Sequence, residues 1–391
     1  MKLQCFNPNA APTRVILVRH GRSTYNDQGR YQGSSDASVL TAQGRQDAFQ
    51  TGLALNDISF SALYVSPLLR TQQTAQEVSA AFKFSRRSPI SINVHGDLKE
   101  IDLPRWEGLS YRHVQETLTD DYRCWIERPH TFEMLPQAGA KDVSPRRPVQ
   151  DLYAQARRFW RQVLPRHAGQ TILVVSHGGT IKALLSQALG IPSDQFHTLQ
   201  QSNCGISVLN FPYQQSACLE GMNDTSHLGE ILPKLKAGRQ GLRLLLVPDT
   251  GVPDLQPKLL DQMEITFSVS NGESAQRLAK MLLAQNPQAV QLQINRTDIP
   301  HLWLQTLNKR QISGQVGTEM LTGLMVAKTE ILQEMLSQVL GGDPSLSKGL
   351  LLAAGRVNVV HYAKSQPLPI LQAMNFADFA LSQRGSMLCA S

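Results

Sequence analysis

Nowhere in the 391 residues is there an unbroken run of about eighteen apolar residues, so no helical membrane span is expected. Cysteine is scarce. The five present, Cys5, Cys124, Cys204, Cys218 and Cys389, are scattered, odd in number and without metal-ligand spacing. That pattern argues against a disulfide framework or a metal site and makes a reducing cytoplasm the default compartment. The first strand-like run begins at Val15, so no signal or transit peptide is expected. A recognisable basic module and an aromatic stacking platform are also missing, so nucleic acid is not an expected partner.

What is present describes a folded chain. Hydrophobic residues make up 41% and charged residues 18%, which excludes a disordered or fibrous protein. The length allows two or three domains of roughly 100–200 residues. The net charge is +7. Residues 1–227 carry 18 Arg, 5 Lys and 19 acids, and residues 228–391 carry 7 Arg, 8 Lys and 12 acids. The charge is even across the halves, but its type is not: the first half prefers Arg, whose planar fork grips phosphate.

Along the chain, short apolar β-branched runs alternate with helical periodicity. Residues 15–18, 62–65, 169–176 and 204–211 read as strands. Residues 40–54, with Thr41 as N-cap, 70–82 and 180–189 read as helices. Such alternation predicts an α/β domain with a mostly parallel sheet. Residues 103–165, which include Trp106, Trp125 and Trp160, read as a mostly helical insertion able to roof a site, and residues 212–240 as a polar linker.

The second half faintly echoes the first. Leu184-Leu-Ser-Gln-Ala-Leu-Gly190 resembles Met335-Leu-Ser-Gln-Val-Leu-Gly341, and at the same offset Gly205–Phe211 falls on Arg356–Tyr362. Arg14–Val18 resembles Arg243–Val247. The polar residues at strand ends do not recur, since His20 falls opposite Asp249 and His177 opposite Lys328.

In α/β sheets, sites form beyond the carboxyl ends of the strands. Three first-half strands end in suggestive groups: Arg19-His20-Gly21, Ser66-Pro67 followed by Arg70, and His177-Gly178. Two histidines and two arginines at one edge suit phosphoryl transfer. An imidazole nitrogen attacks phosphorus without heavy activation, and arginines stabilise the transferring charge without a metal. The first turn of the helix after Gly178 would add backbone donors. The leaving oxygen then needs a proton from a carboxyl group.

These motifs, Arg19-His20-Gly21-x-Ser23-x-x-Asn26, Ser66-Pro67-x-x-Arg70-x-x-x-Thr74-Ala75 and Ser176-His177-Gly178-Gly179, resemble in spacing and order the histidine phosphatase superfamily, to which cofactor-dependent phosphoglycerate mutase belongs. The resemblance implies His20 as nucleophile and Arg19, Asn26, Arg70 and His177 as the phosphate pocket, with Gln32 and Gly33 at a further phosphate contact. It implies Glu100 as proton donor, and Glu107 beside it reads as a cap or brace of the loop. It implies no metal and no cofactor. Further segments resemble the 2-carboxy-D-arabinitol-1-phosphate phosphatases of photosynthetic organisms. These are Gly33-Ser-Ser-Asp36, Ser38-Val-Leu-Thr41, Trp125-x-x-x-Pro129, Pro148-Val149 and Leu199-x-Gln-Ser-Asn-Cys-Gly-x-Ser-Val-Leu209. Arg22 and the stretch 135–148, with Arg146 and Arg147, depart from the broader pattern and bear on the leaving-group pocket.

The expected architecture is a three-layer αβα phosphoglycerate mutase-like domain with a helical insertion (residues 1–226), followed by a degenerate, non-catalytic domain of the same fold (227–391). The expected activity is that of a cytoplasmic, metal-independent phosphatase working through a phosphohistidine. Its substrate would be a small phosphorylated sugar, either 2-carboxy-D-arabinitol 1-phosphate or a related Rubisco-inhibiting sugar phosphate or bisphosphate. A phosphoglycerate mutase-type phosphotransferase and an inactive sugar-phosphate-binding or assembly protein stand as alternatives. Assembly as a homo-oligomer is left open.

Overall fold

The computed structural model describes residues 12–85, 90–135, 145–212, 217–250, 262–303, 320–341 and 343–376, together with 260 and 305. Its first half runs β1 (Thr13–Arg19), α1 (Thr24–Asp27), α2 (Ala42–Ala54), β2 (Ala62–Val65), α3 (Leu69–Phe84), β3 (Ile92–Val94), α4 (Tyr111–Thr117), α5 (Thr119–Glu127), α6 (Pro148–Val163), β4 (Thr171–Ser176), α7 (Gly178–Leu189), β5 (Ile206–Phe211) and β6 (Cys218–Asp224). The second half runs β7 (Gly241–Pro248), β8 (Phe267–Asn271), α8 (Glu273–Leu282), β9 (Val290–Ile294), β10 (Met320–Ala327), α9 (Thr329–Val339), α10 (Pro344–Lys348), β11 (Val357–Ala363) and β12 (Ile370–Phe376).

Alternation along β1 explains the layers. Successive side chains of a strand point to opposite faces. Ile16 and Val18 pack with Leu63, Val65, Val78 and Phe82 on the side of α2 and α3. Val15 and Leu17 join Phe159, Trp160, Ile181 and Leu184 on the side of α6 and α7. Thr41 caps α2 as expected, its hydroxyl accepting from the Gly44 amide at 3.0 Å. The helix after β4 starts at Gly178, two residues earlier than expected, with His177 as N-cap.

The twelve strands among the described residues form one sheet, in the order β3-β2-β4-β1-β5-β6-β12-β11-β7-β10-β8-β9. The β3-β2-β4-β1 block is parallel, while β5 and β6 continue it antiparallel. The segment expected to be a linker is therefore mistaken in part. Residues 218–224 are a strand at the middle of the sheet, pairing with β5 on one side and β12 on the other. Its polar Glu220, Asn223 and Asp224 hid it from a hydrophobicity reading.

Read from the far edge, β9-β8-β10-β7-β11-β12 repeats the order of the first half. The registers repeat as well. Arg14 pairs with Thr171 and Asn210, and Arg243 pairs with Thr322 and His361. The antiparallel pairs β5-β6 and β11-β12, at the centre of the sheet, carry register shifts at matching places, between Ile206 and Val208 and between Val357 and Val359. Asn223 and Asn375 both lie in the left-handed region, at φ 56° and 53°. Across the seam the Asn223 side-chain amide donates to the Gln372 carbonyl (2.8 Å), and that of Asn375 donates to the Glu220 carbonyl (2.6 Å). Met222 sits opposite Met374 between them. A buried cluster that includes Leu184, Leu185, Met222, Leu336 and Met374 runs through both halves.

The insertion divides by role. Helices α4 and α5 lie over the carboxyl ends of the first-half strands, whereas α6 is a layer helix that buries Val149, Leu152, Phe159 and Val163. Residues 136–144, Arg86, Arg87, Cys5 and Cys389 lie outside the described residues. Cys124, Cys204 and Cys218 form no disulfide among the described residues. Among the described residues no helix is long and apolar enough to cross a membrane, and no three His, Cys, Asp or Glu side chains cluster as a metal site requires.

Candidate active site

Beyond the carboxyl ends of β1 and β4 lies a cavity of about 510 Å³. Of the residues expected to serve a site, Arg19, His20, Asn26, Gln32, Glu100 and Gly178 line it. Arg70, His177 and Gly33 are buried just behind.

His20 follows the last residue of β1 and is almost fully buried. Its Nδ1 lies 2.8 Å from the Gly21 carbonyl. A carbonyl only accepts, so Nδ1 carries the hydrogen and Nε2 keeps its lone pair. Burial, and then the charges of Arg19 and Arg70, push the His20 imidazole well below its ordinary value. It is therefore neutral at pH 7. His177 is lowered by the same causes, burial first, then Arg70 and His20. The two rings meet edge to face with centroids 5.2 Å apart, and His177 Nε2 lies 2.8 Å from Ser66 Oγ.

The arginines are held by backbone carbonyl oxygens, and neither forms a salt bridge among the described residues. Arg70 donates from Nη1 to the Ser35 carbonyl and from Nη2 to the Gly33 carbonyl, both at 2.9 Å. Arg19 donates from Nη1 to the Gln201 carbonyl at 2.9 Å. Its Nε lies 3.2 Å from where a side chain at Gly178 would begin, so only glycine leaves the guanidinium in place. Gly33 gives its N–H to Glu107 Oε2 at 2.7 Å, which makes Glu107 the brace expected of it. The Gly33 N–H that a phosphate contact would use is thus already engaged.

The helix start after Gly178 also differs from expectation. Gly179 and Thr180 donate their backbone N–H groups to the two oxygens of Glu100, each at 3.1 Å. Those first-turn donors hold the Glu100 carboxyl where, like His20, it lines the cleft, because the first N–H groups of a helix have no partner within the helix. Asp102 faces away, accepting from Ser34 Oγ and Arg146. Arg147 pairs with Glu133, and Arg22 with Asp27 on the exposed side. None of these three arginines lines the cleft. Trp106 is a core residue.

Several lining residues escaped the sequence reading. Asn203 Nδ2 donates to the His20 carbonyl and to Asn26 Oδ1, both at 3.0 Å, and so ties the nucleophile loop to α1. Its signal was the quoted Gln-Ser-Asn-Cys-Gly segment, to which no role had been attached. Tyr111 of α4 and Trp125 of α5 come from the insertion expected to roof the site, and both line the cleft. Lys182 comes from the second turn of α7, and its ammonium group lies 5.2 Å above the Phe196 ring. Lys236, Gln366 and Ile370 reach the same cleft from beyond β6, and no local pattern marked them.

Comparison with known proteins places this geometry in context. The profile described as "Histidine phosphatase superfamily (branch 1)" matches residues 15–225. The chain is 37% identical over 217 residues to the probable 2-carboxy-D-arabinitol-1-phosphatase of Arabidopsis thaliana, covering 54% of this chain and 42% of that protein. It is 36% identical over 245 residues to the 2-carboxy-D-arabinitol-1-phosphatase of Triticum aestivum, covering 61% and 46%. It is 32% identical over 217 residues to phosphoserine phosphatase 1 of Hydrogenobacter thermophilus, covering 56% and 95%. The chain thus spans less than half the length of the two plant proteins.

Proposed function

The chain belongs to the histidine phosphatase superfamily (branch 1), and on that premise we propose that it hydrolyses a small phosphorylated metabolite through a phosphohistidine at His20, without a metal. The observation that carries the reading is the state of His20. Nδ1 faces the Gly21 carbonyl, which leaves Nε2 as the nitrogen with the lone pair, and Arg19 and Arg70, held by backbone carbonyls, bear on the ring. In the first step Nε2 attacks phosphorus, a P–N bond forms, and the ester P–O bond breaks. The leaving alkoxide takes a proton from the Glu100 carboxyl. In the second step water attacks the phosphohistidine, its proton passes to Glu100, and His20 and inorganic phosphate are restored. Arg19, Arg70 and His177 stabilise the charge on the equatorial oxygens, with Asn26, Gln32 and the backbone at Gly178 as further contacts and Gly33 acting through Arg70.

The substrate we infer is a sugar phosphate of the 2-carboxy-D-arabinitol 1-phosphate kind or a related bisphosphate. The names of the plant relatives and the polar neutral lining at Gln200, Gln201 and Asn203 support it. We further propose that the second half is a degenerate copy of the first. The repeated strand order and registers support this, and Asp249 and Lys328 stand where His20 and His177 would.

The test is His20→Ala. Hydrolysis of a sugar phosphate should fall at least about 10³-fold, and no acid-labile phosphoenzyme should form in a single-turnover experiment. Retained activity would overturn the assignment. Phosphoglycerate supplied as one isomer should release phosphate rather than be converted to the other.

A further inference from the structure

The cleft holds more positive charge than one phosphoryl group needs. Beside the arginines that surround His20, two lysines enter from separate elements. Lys182 stands on α7 against the Phe196 ring and makes no ion pair among the described residues. Lys236 lies in the segment between β6 and β7. That segment is exposed in part, yet it is fastened on both sides. Gln200 Nε2 donates to the Lys234 carbonyl at 3.0 Å, and Gln372 of β12 donates to the Pro233 carbonyl. Lys236 turns its ammonium group inward to the Gln201 carbonyl, which also accepts from Arg19. The nearest carboxylate on its own segment, Glu230, is paired with Lys234. Among the described residues the one carboxyl lining the cavity, Glu100, is engaged by backbone N–H groups of α7.

The electrostatics agree with that geometry. Burial lowers Lys182 to about 8. Burial, then Arg19 and Lys182, lower Lys236 well below its ordinary value, and Lys236 in turn acts on His20. Cations held together at this cost in an open cleft are stabilised when an anion enters and restores their charge.

We propose that Lys182 and Lys236 form a second anion subsite, which takes the far end of the substrate while His20 attacks the near phosphate. The preferred substrate class is then a phosphate ester with a second fixed anion, a carboxylate or another phosphate, a short chain away. The inference rests on the phosphatase reading of the cleft. It also gives the second half a part in specificity, because Gln372 of β12 helps to fix the segment that carries Lys236.

The experiment uses the full chain and three esters on one three-carbon skeleton: 3-hydroxypropyl phosphate, 3-phosphooxypropanoate and propane-1,3-diol bisphosphate. The wild-type kcat/KM should be about 10–100-fold higher for the charged-end esters than for the neutral one, the size of effect a charge-assisted contact gives. The ester with the larger gain identifies the anion as carboxylate or phosphate. Lys236→Met should shrink that ratio about tenfold and Lys236→Arg should keep it. Lys182→Met, on a different element, should also shrink it and carries the test if Lys236→Met does not fold. Equal turnover of all three esters by the wild type, or an unchanged ratio in both Met variants, overturns the subsite while leaving the phosphatase reading standing. No turnover of any ester by the wild type overturns the phosphatase reading itself.

Discussion

His20 is one of five histidines held below the ordinary value of 6.5, with burial the first cause in every case. His197 falls to about 3, and His227 and His361 to about 4. The unfolded chain binds protons at these rings below about pH 6.5, whereas the folded chain does not until the pH is much lower. Between those limits the unfolded state holds more protons, so stability falls as pH falls. Each such histidine contributes up to about a tenfold drop in the folding constant per pH unit. Urea midpoints should therefore decline steadily from pH 7 to pH 4.5, with proton uptake on unfolding. A midpoint that stays flat over that range would show that the rings titrate normally. The same low values keep the His20 lone pair available well into mild acid, where a histidine of ordinary value would be charged.

Helix α2 and the loop after β1 interlock through two glycines. A side chain at Gly44 would run into the Arg22 carbonyl, and one at Gly21 into the Gly44 carbonyl. The loop after β1 begins with His20, so the closeness of that approach sets where the nucleophile stands. Gly44→Ala must push backbone against backbone. It should cost about 1–3 kcal/mol of stability and lower kcat/KM by about tenfold or more, since small misplacements of reacting groups are expensive. Thermal melts and steady-state kinetics on the same preparation check both.

Elements of this kind were legible because their signals are local. Apolar β-branched runs marked β1, β2 and β4, and Thr41 marked the start of α2. Groups ending adjacent parallel strands placed Arg19, His20 and His177 together, since a parallel sheet aligns its carboxyl ends. The strand β6 was missed because its pairing partner in β12 lies far along the chain and its own residues are polar. Lys236 was missed for a related reason: residues distant in sequence, Gln200, Ser365 and Gln372 among them, turn a solvated-looking segment into part of the cleft. The engagement of the α7 amides by Glu100 could not be read either, because it depends on how two loops approach in space.

At the scale of the whole molecule, the seam between β6 and β12 has the form of a two-fold contact made within one chain. Asn223 and Asn375 exchange equivalent hydrogen bonds across it, and Leu199 bridges to Leu371 as Leu350 does to Leu219. An interface in which each side presents the same surface is what a symmetric dimer uses. A fragment of residues 12–228 keeps β6 but loses β12. It should pair with itself through that edge, bringing Met222 opposite Met222. Light scattering should show a dimer, and Met222→Lys should leave monomers or insoluble protein. A soluble monomeric fragment with the wild-type Met222 would argue against the symmetry having this meaning.

The central position of β6 also has a cost in time. Met222 finds its partner Met374 only after 152 further residues have been made. At roughly 5–20 residues per second, that leaves a finished first half with a bare strand edge for roughly 8–30 s of synthesis. Such an edge is a template for other chains. The period when this protein is most exposed to aggregation thus falls during translation, before the seam has closed.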